Sequence, residues 1–199
     1  MGKDKGLVGF KDFTVYPITS DEPGGFEVST AISLPYVQSL DPPDTAGSTG
    51  TPVYADDEEY LSSSGGDTDE TRRLTIAELA LTSLATLKNN AKYDVDTGIY
   101  SEGSAVSAEA VPPFAATYVT KLGNAGGYRL HKHYKSEVQA VVPTQLTTAD
   151  GSVKVSAYNV DFKFGENKNG MRYEAQDVAA YDTAAKTWLS SFESGEAGG

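Results

Sequence analysis

Val53-Tyr54-Ala55-Asp56-Asp57-Glu58-Glu59 opens the stretch whose reading decides the fold. It continues through Ser62-Ser63-Ser64-Gly65-Gly66-Asp67 to the apolar series Leu74, Ile76, Leu79, Leu81, Leu84 and Leu87. It joins a short strand, an acidic loop, a second strand and a helix, so the crossover of the fold lies here. Two signals compete in its second half. Thr75-Ile76-Ala77-Glu78 has the spacing of a capping box, which starts a helix at Thr75. Thr71 to Ala77 alternates instead, with Leu74 and Ile76 on one face and Arg73 and Thr75 on the other, as a strand does. Periodicity alone leaves both open. Leu84 and Leu87 stand three apart, and Asn89-Asn90 can end a helix.

Upstream, Phe13 to Val15 alternates apolar and polar and the run stops at Pro17, which predicts a first strand. Ser20-Asp21-Glu22-Pro23-Gly24-Gly25 is a turn, and an extended region resumes over Phe26 to Leu34. Ser39 to Thr51, with Asp41-Pro42-Pro43-Asp44 and Gly47-Ser48-Thr49-Gly50, reads as a long polar connection. Connections of that length are functional or disordered, and its place beside the acidic stretch favours function. Downstream the chain predicts strands over Phe114 to Leu122, Tyr128 to Val142 and Val153 to Phe164, with hairpin turns at Gly123 to Gly127 and Asp150-Gly151. Tyr158, Val160, Phe162 and Phe164 share one apolar face, so that sheet is covered on one side. Beyond Gly170 come a weak strand over Met171 to Glu174 and a short helix around Thr183 to Phe192 with Trp188. Residues 193–199 form a polar tail expected to order only on binding.

A chain of 199 residues suits one domain, taken as residues 1–192 with a polar loop near 39–66. Charged residues at 22% and hydrophobic ones at 39% are ordinary for a chain that folds. The absence of cysteine excludes disulfide frameworks and thiolate zinc sites. The N-terminus carries no signal-peptide pattern and no run approaches a membrane span, so a chain made and folded in a cytoplasm, with no membrane partner, is expected. The net charge of −12 is uneven: residues 20–110 hold 17 acids and 4 bases, a balance of −13, and residues 111–172 hold 4 acids and 8 bases, a balance of +4. Such asymmetry suits contact between copies and disfavours sequence-independent DNA binding.

The candidates for chemistry are few. Asp56, Asp57, Glu58 and Glu59 lack the alternating spacing and central glycine of a calcium loop and read as a solvated turn. His131 and His133 share a strand face with Arg129 and Lys135, whose charge opposes a metal ion, so they read as exposed histidines. A nucleophile and base pair requires one of them beside an unmarked Ser or Thr. Neither a nucleophile elbow nor a phosphate-binding glycine loop is present. No catalytic, cofactor or metal residue is predicted.

Gly9-Phe10-Lys11-Asp12-Phe13, Tyr16-Pro17-Ile18-Thr19, Val53-Tyr54-Ala55-Asp56-Asp57, Leu74-Thr75-Ile76-Ala77-Glu78-Leu79 and the Leu84 to Leu87 turn, in that order, resemble the major tail proteins of long-tailed bacteriophages, the phi13-type tail tube family. Phe114-Ala115, Tyr134-Lys135 and Pro143 fit the same pattern, and the likeness spans roughly residues 7 to 165. The chain departs in placing Lys88-Asn89-Asn90 after the helix, where many relatives have glycine, and in lacking an appended immunoglobulin-like domain. The resemblance favours a strand to about Ala77 and a helix from about Ala80 to Asn89. It implies a mainly β fold with one packed α-helix, a β-sandwich or half-barrel, assembled as hexameric rings stacked into the tail tube through which viral DNA is ejected. Implied partners are other copies of the chain and tape-measure, tail-terminator and distal tail proteins; DNA passes through the lumen unbound, and the protein resides in the virion. The ring-to-ring contact is expected over residues 39–66, with Asp41, Asp44, Thr45, Thr49, Tyr54, Asp56, Asp57, Glu58 and Glu59 as its residues. A carbohydrate-binding β-sandwich is the alternative, because 12 tyrosines and one tryptophan supply stacking platforms; an enzyme is disfavoured for want of an acid, base and nucleophile set.

Overall fold

The computed structural model describes residues 7–41, 53–55, 58–61, 70–88, 90–103, 111–123, 126–147 and 154–192. The fold is mainly β, with antiparallel pairing throughout the described residues. In chain order the strands are β1 (Leu7–Glu22), β2 (Gly25–Val28), β3 (Ile32–Leu34), β4 (Val37–Leu40), β5 (Val53–Ala55), β6 (Glu58–Leu61) and β7 (Glu70–Ile76). Helix α1 (Leu81–Leu87) follows, then β8 (Ala91–Asp94), β9 (Ile99–Glu102), β10 (Phe114–Leu122), β11 (Tyr128–Thr147), β12 (Lys154–Gly165), β13 (Tyr173–Val178) and α2 (Thr183–Ser190).

The main sheet runs β2-β1-β10-β11-β12-β7-β4, with β3 on β1 and β13 on β11. The path ends at β2 and β4; β3, paired to β1, is separated from β4 only by Pro35 and Tyr36, the latter at φ 60°. Since β1 also touches β4, the sheet curls on itself and encloses an interior. Phe13, Val15, Leu34, Leu74, Ile76, Phe114, Ala116, Tyr118, Val160, Phe162 and Phe164 fill it. Leu79, Leu84 and Leu87 of the α1 region join the same cluster, so α1 packs against this interior. A seven-residue helix with no side-chain cap is too short to persist alone and is held by this burial.

The capping box at Thr75 does not form, because Thr75 is in β7 between Asn159 of β12 and Ser39 of β4. The strand prevails for a packing reason: Leu74 and Ile76 are both fully buried, and a helix from Thr75 would turn Ile76 away from that interior. Three other expectations are corrected. β1 does not stop at Pro17 but changes partner there, leaving β10 at the Pro17 to Phe114 pair and taking β2 from Ile18, so the missing N–H falls at the switch. Phe26 to Leu34 is two strands, and Ser39 and Leu40 belong to β4 rather than to a loop. The β8–β9 hairpin was not foreseen; Asp94 Oδ1 accepts from the N–H groups of Asp96 and Thr97 at 3.0 and 3.1 Å, and Gly98 completes the turn at φ 69°.

The outer face of β10 and β11 is covered too. Asp182 caps α2 by accepting from the Ala185 N–H at 3.1 Å, and Ala185 and Leu189 pack on Val119 and Leu130. Beside them Lys132 is 2% exposed, its ammonium 4.1 Å from the Trp188 ring centroid and 5.4 Å from that of Phe192. It donates to the Ser191 carbonyl at 2.6 Å and stands 3.5 Å from Glu174. One cation thus clamps the end of α2 to the sheet. Replacing Lys132 with alanine is expected to cost about 2–3 kcal/mol and to speed amide exchange selectively in α2. Lys132→Met, which keeps the stem's packing, should recover part of that loss; unchanged exchange in α2 for both variants would show that the clamp contributes nothing.

Candidate functional site

Most of the predicted contact residues are not brought together by the described structure. Asp44, Thr45, Thr49, Asp56 and Asp57 lie outside the described residues. Tyr54 and Glu59 face each other in the β5–β6 ladder, with Ala55 opposite Glu58. Asp41, exposed at the end of β4, accepts no strand partner of its own but its N–H donates to the Arg73 carbonyl at 2.8 Å. It lies at a cavity.

That cavity is a cleft of about 760 Å³ at one end of the sheet, lined from β1 by Phe10, from β4 by Ser39 and Leu40 with Asp41 just beyond it, and from β7 by Glu70 and Arg72. Tyr118 and Thr120 of β10, His131 and His133 of β11, Arg172, and Tyr173 of β13 complete it. These positions follow from alternation along strands whose apolar members fill the interior. Glu70 and Arg72 continue the row of Leu74 and Ile76, and Thr120 continues that of Ala116 and Tyr118. The enclosed column is thus apolar near α1 and polar in the cleft. A bulge at Asp12, at φ 55°, lets Phe10 and Phe13 reach the same side, with ring centroids 6.0 Å apart.

His131 and His133 are not exposed, contrary to the sequence expectation; they are 5% and 3% accessible. β13 lies along the first half of β11, pairing His131 with Ala175 and His133 with Tyr173. The imidazoles sit in an aromatic stack: His131 on Tyr118 at 4.3 Å, His133 against Phe164 at 4.3 Å and Tyr173 at 4.8 Å. Both nitrogens of His131 are bonded, Nε2 to the Thr120 hydroxyl at 2.8 Å and Nδ1 to the Tyr173 hydroxyl at 2.7 Å. His133 Nε2 is buried without a hydrogen-bond partner. Arg72 donates through Nε and Nη2 to Glu70 Oε2 at 3.3 and 2.8 Å.

Burial, then the Arg129 and Arg72 charges, push His131 down to about 4. Burial, then Arg72, His131 and Arg172, push His133 down to about 3. Both are neutral at neutral pH. Burial also raises the Tyr118 phenol above its ordinary value. The Thr120–His131 pair is the hydroxyl and imidazole contact that the sequence left unlocated, but an imidazole with so low a pKa is a weak general base near neutrality. Among the described residues no group of three His, Cys, Asp or Glu side chains converges to hold a metal ion, and Arg72 beside the histidines opposes a cation.

The cleft was missed because its lining comes from six separate segments, and alternation within each predicts only a face. Part of the charge asymmetry is also consumed internally: Lys135 pairs with Asp21 at 3.0 Å and Lys168 with Glu22 at 2.9 Å. Each pair joins the acidic region of the chain to the basic one. Among the described residues no helix is long and apolar enough to cross a membrane. Comparison with models of protein families, with curated proteins and with solved structures finds no match to this chain.

Proposed function

We propose that the chain is a non-enzymatic structural subunit that assembles into stacked hexameric rings, the tail tube of a long-tailed bacteriophage virion, with other copies of itself as its main partner. The observation that carries this reading is a two-stranded ribbon. β11 pairs with β10 only as far as Ser136, and β12 pairs with β7 only from Tyr158 onward. Residues 144–147 and 154–157 therefore pair with each other and have no further strand on either side among the described residues. Val142, at the base of this ribbon, is 51% exposed. Open strand edges are templates for another chain, which a subunit built to polymerise requires and a monomer normally protects. The curled sheet with a helix packed against its interior also supports the half-barrel that the sequence resemblance implies.

Negative-stain electron microscopy of the concentrated protein, with light scattering, tests the reading. Rings or tubes with a central channel are expected. Deleting Thr45 to Thr51 should leave a folded monomer that no longer polymerises; normal tubes from that deletion would remove residues 39–66 from the ring contact. The aromatic wall of Phe10, Tyr118 and Tyr173 favours the carbohydrate-binding alternative, for which specific glycan-array binders, with no polymers under any condition, are the supporting result.

A further inference from the structure

The cleft offers more hydrogen-bond donors than its own lining consumes, and we propose that it binds a small molecule bearing an oxyanion, a carboxylate or phosphate, on a flat ring. The inference is independent of the tube reading, since it rests on the lining alone. A neutral imidazole carries one N–H, so His131 donates to one of its two hydroxyl partners and accepts from the other. If Nε2 carries the proton, Tyr173 donates to Nδ1 and the Thr120 O–H is left over. If Nδ1 carries it, Thr120 donates to Nε2 and the Tyr173 O–H is left over. In either tautomer one hydroxyl proton of the Thr120–His131–Tyr173 chain has no acceptor within the chain.

Two further groups add to this surplus. His133 Nε2 is buried and unpartnered; in the tautomer that places the imidazole proton on it, it is a further donor that calls for a ligand atom or water. Arg72 has five N–H donors; Glu70 takes two and Tyr118 is a further hydrogen-bond partner, so the guanidinium still has donors to offer. Arg172, on the same wall, contributes positive charge felt at His133. The carboxylates facing the cleft are Glu70, already held by Arg72, and Asp41, on the exposed rim. An oxyanion is the partner that accepts from several donors at once and stays charged beside a guanidinium. The flat ring follows from the other wall. Phe10 stacks on Tyr118 at 4.9 Å with rings 22° apart, Tyr118 stacks on His131 at 12°, and Tyr173 is 44% exposed. An incoming ring extends an aromatic stack that is already built.

The chain has two histidines, both in the cleft, so their ring nitrogens are a direct reporter by long-range ¹⁵N NMR. Phenyl phosphate and benzoate should shift the His133 and His131 nitrogens saturably. Inorganic phosphate should bind about tenfold more weakly for want of the ring, and benzyl alcohol, a neutral ring, should leave the nitrogens unmoved. Arg72→Met should weaken phenyl phosphate by about tenfold or more, while Lys168→Ala, which removes a cation outside the cleft, should not. Should Arg72→Met fail to fold, Tyr173→Phe, at an exposed side chain, is expected to weaken binding severalfold. No saturable shift with phenyl phosphate or benzoate, equal shifts with benzyl alcohol, or unchanged affinity in the folded variants would overturn the proposal. Equal affinity for phosphate and phenyl phosphate would overturn its ring half.

Discussion

Acidification from about pH 6.5 to about pH 4.5 should strip stability from this domain through its two buried imidazoles. His131 and His133 are depressed from 6.5 to about 4 and about 3 in the folded chain. The unfolded chain therefore binds more protons as pH falls below 6.5, and the sign of the linkage is fixed. Their contribution is fully present above 6.5 and declines as pH falls toward the folded values. Each histidine supplies a slope of up to about 1.4 kcal/mol per pH unit. Two of them over this window reach the order of the total stability of a small domain, about 5–15 kcal/mol. Urea midpoints measured at intervals across the window check this. His133→Phe, which sets an apolar ring among Phe164 and Tyr173, should roughly halve the slope. A flat profile above pH 4.5 would mean that the histidines are charged or exposed in solution.

Replacing Phe13 with alanine should cost about 3–5 kcal/mol, the range for deleting a large buried ring without collapse of the space it leaves. Phe13 is fully buried in β1 and stands at the crossing of three ring contacts: Phe162 at 5.6 Å, Tyr118 at 5.9 Å and Phe10 at 6.0 Å. Those partners come from β12, β10 and the cleft side of β1, so no single neighbour can shift to refill the site. Phe13→Leu should recover more than half of the loss. Denaturant unfolding at neutral pH, with an unchanged m-value, is the measurement; a loss below about 1 kcal/mol would show that the interior is not close-packed around this ring.

The legible parts of the sequence were those with one wet face. β12 alternates because Val160, Phe162 and Phe164 point into the interior while Asn159, Asp161 and Lys163 stay partly exposed; β10 is the exception, its bounds legible although Phe114 to Thr120 are buried on both faces. The first half of β11 could not be read this way. Its residues 130–134 are buried on both faces, so His131, Lys132 and His133 carry no trace of the alternation that distinguishes inside from outside. What covers them, β13 and α2, lies some forty residues on and shows only weak local signals. The β8–β9 turn did carry a signal, since Asp94-Val95-Asp96-Thr97-Gly98 holds the side-chain acceptor and the glycine that such a turn needs; hydrophobic periodicity gives it no weight. Of the residues named for a contact surface, Asp41 reached the rim of the cleft, whereas Arg72, Thr120 and Tyr173 were named in no motif. Their importance depends on curling the sheet.

Lys132 also gives the chain a built-in optical gauge. Trp188 is its one tryptophan, and the ammonium 4.1 Å above the indole perturbs that chromophore only while α2 is docked. Emission colour therefore follows the attachment of the last helix, while circular dichroism follows the sheet. If α2 lifts before the sheet melts, the two signals separate along a denaturant series. The gap between their midpoints then measures how independently the C-terminal segment detaches, with no label added.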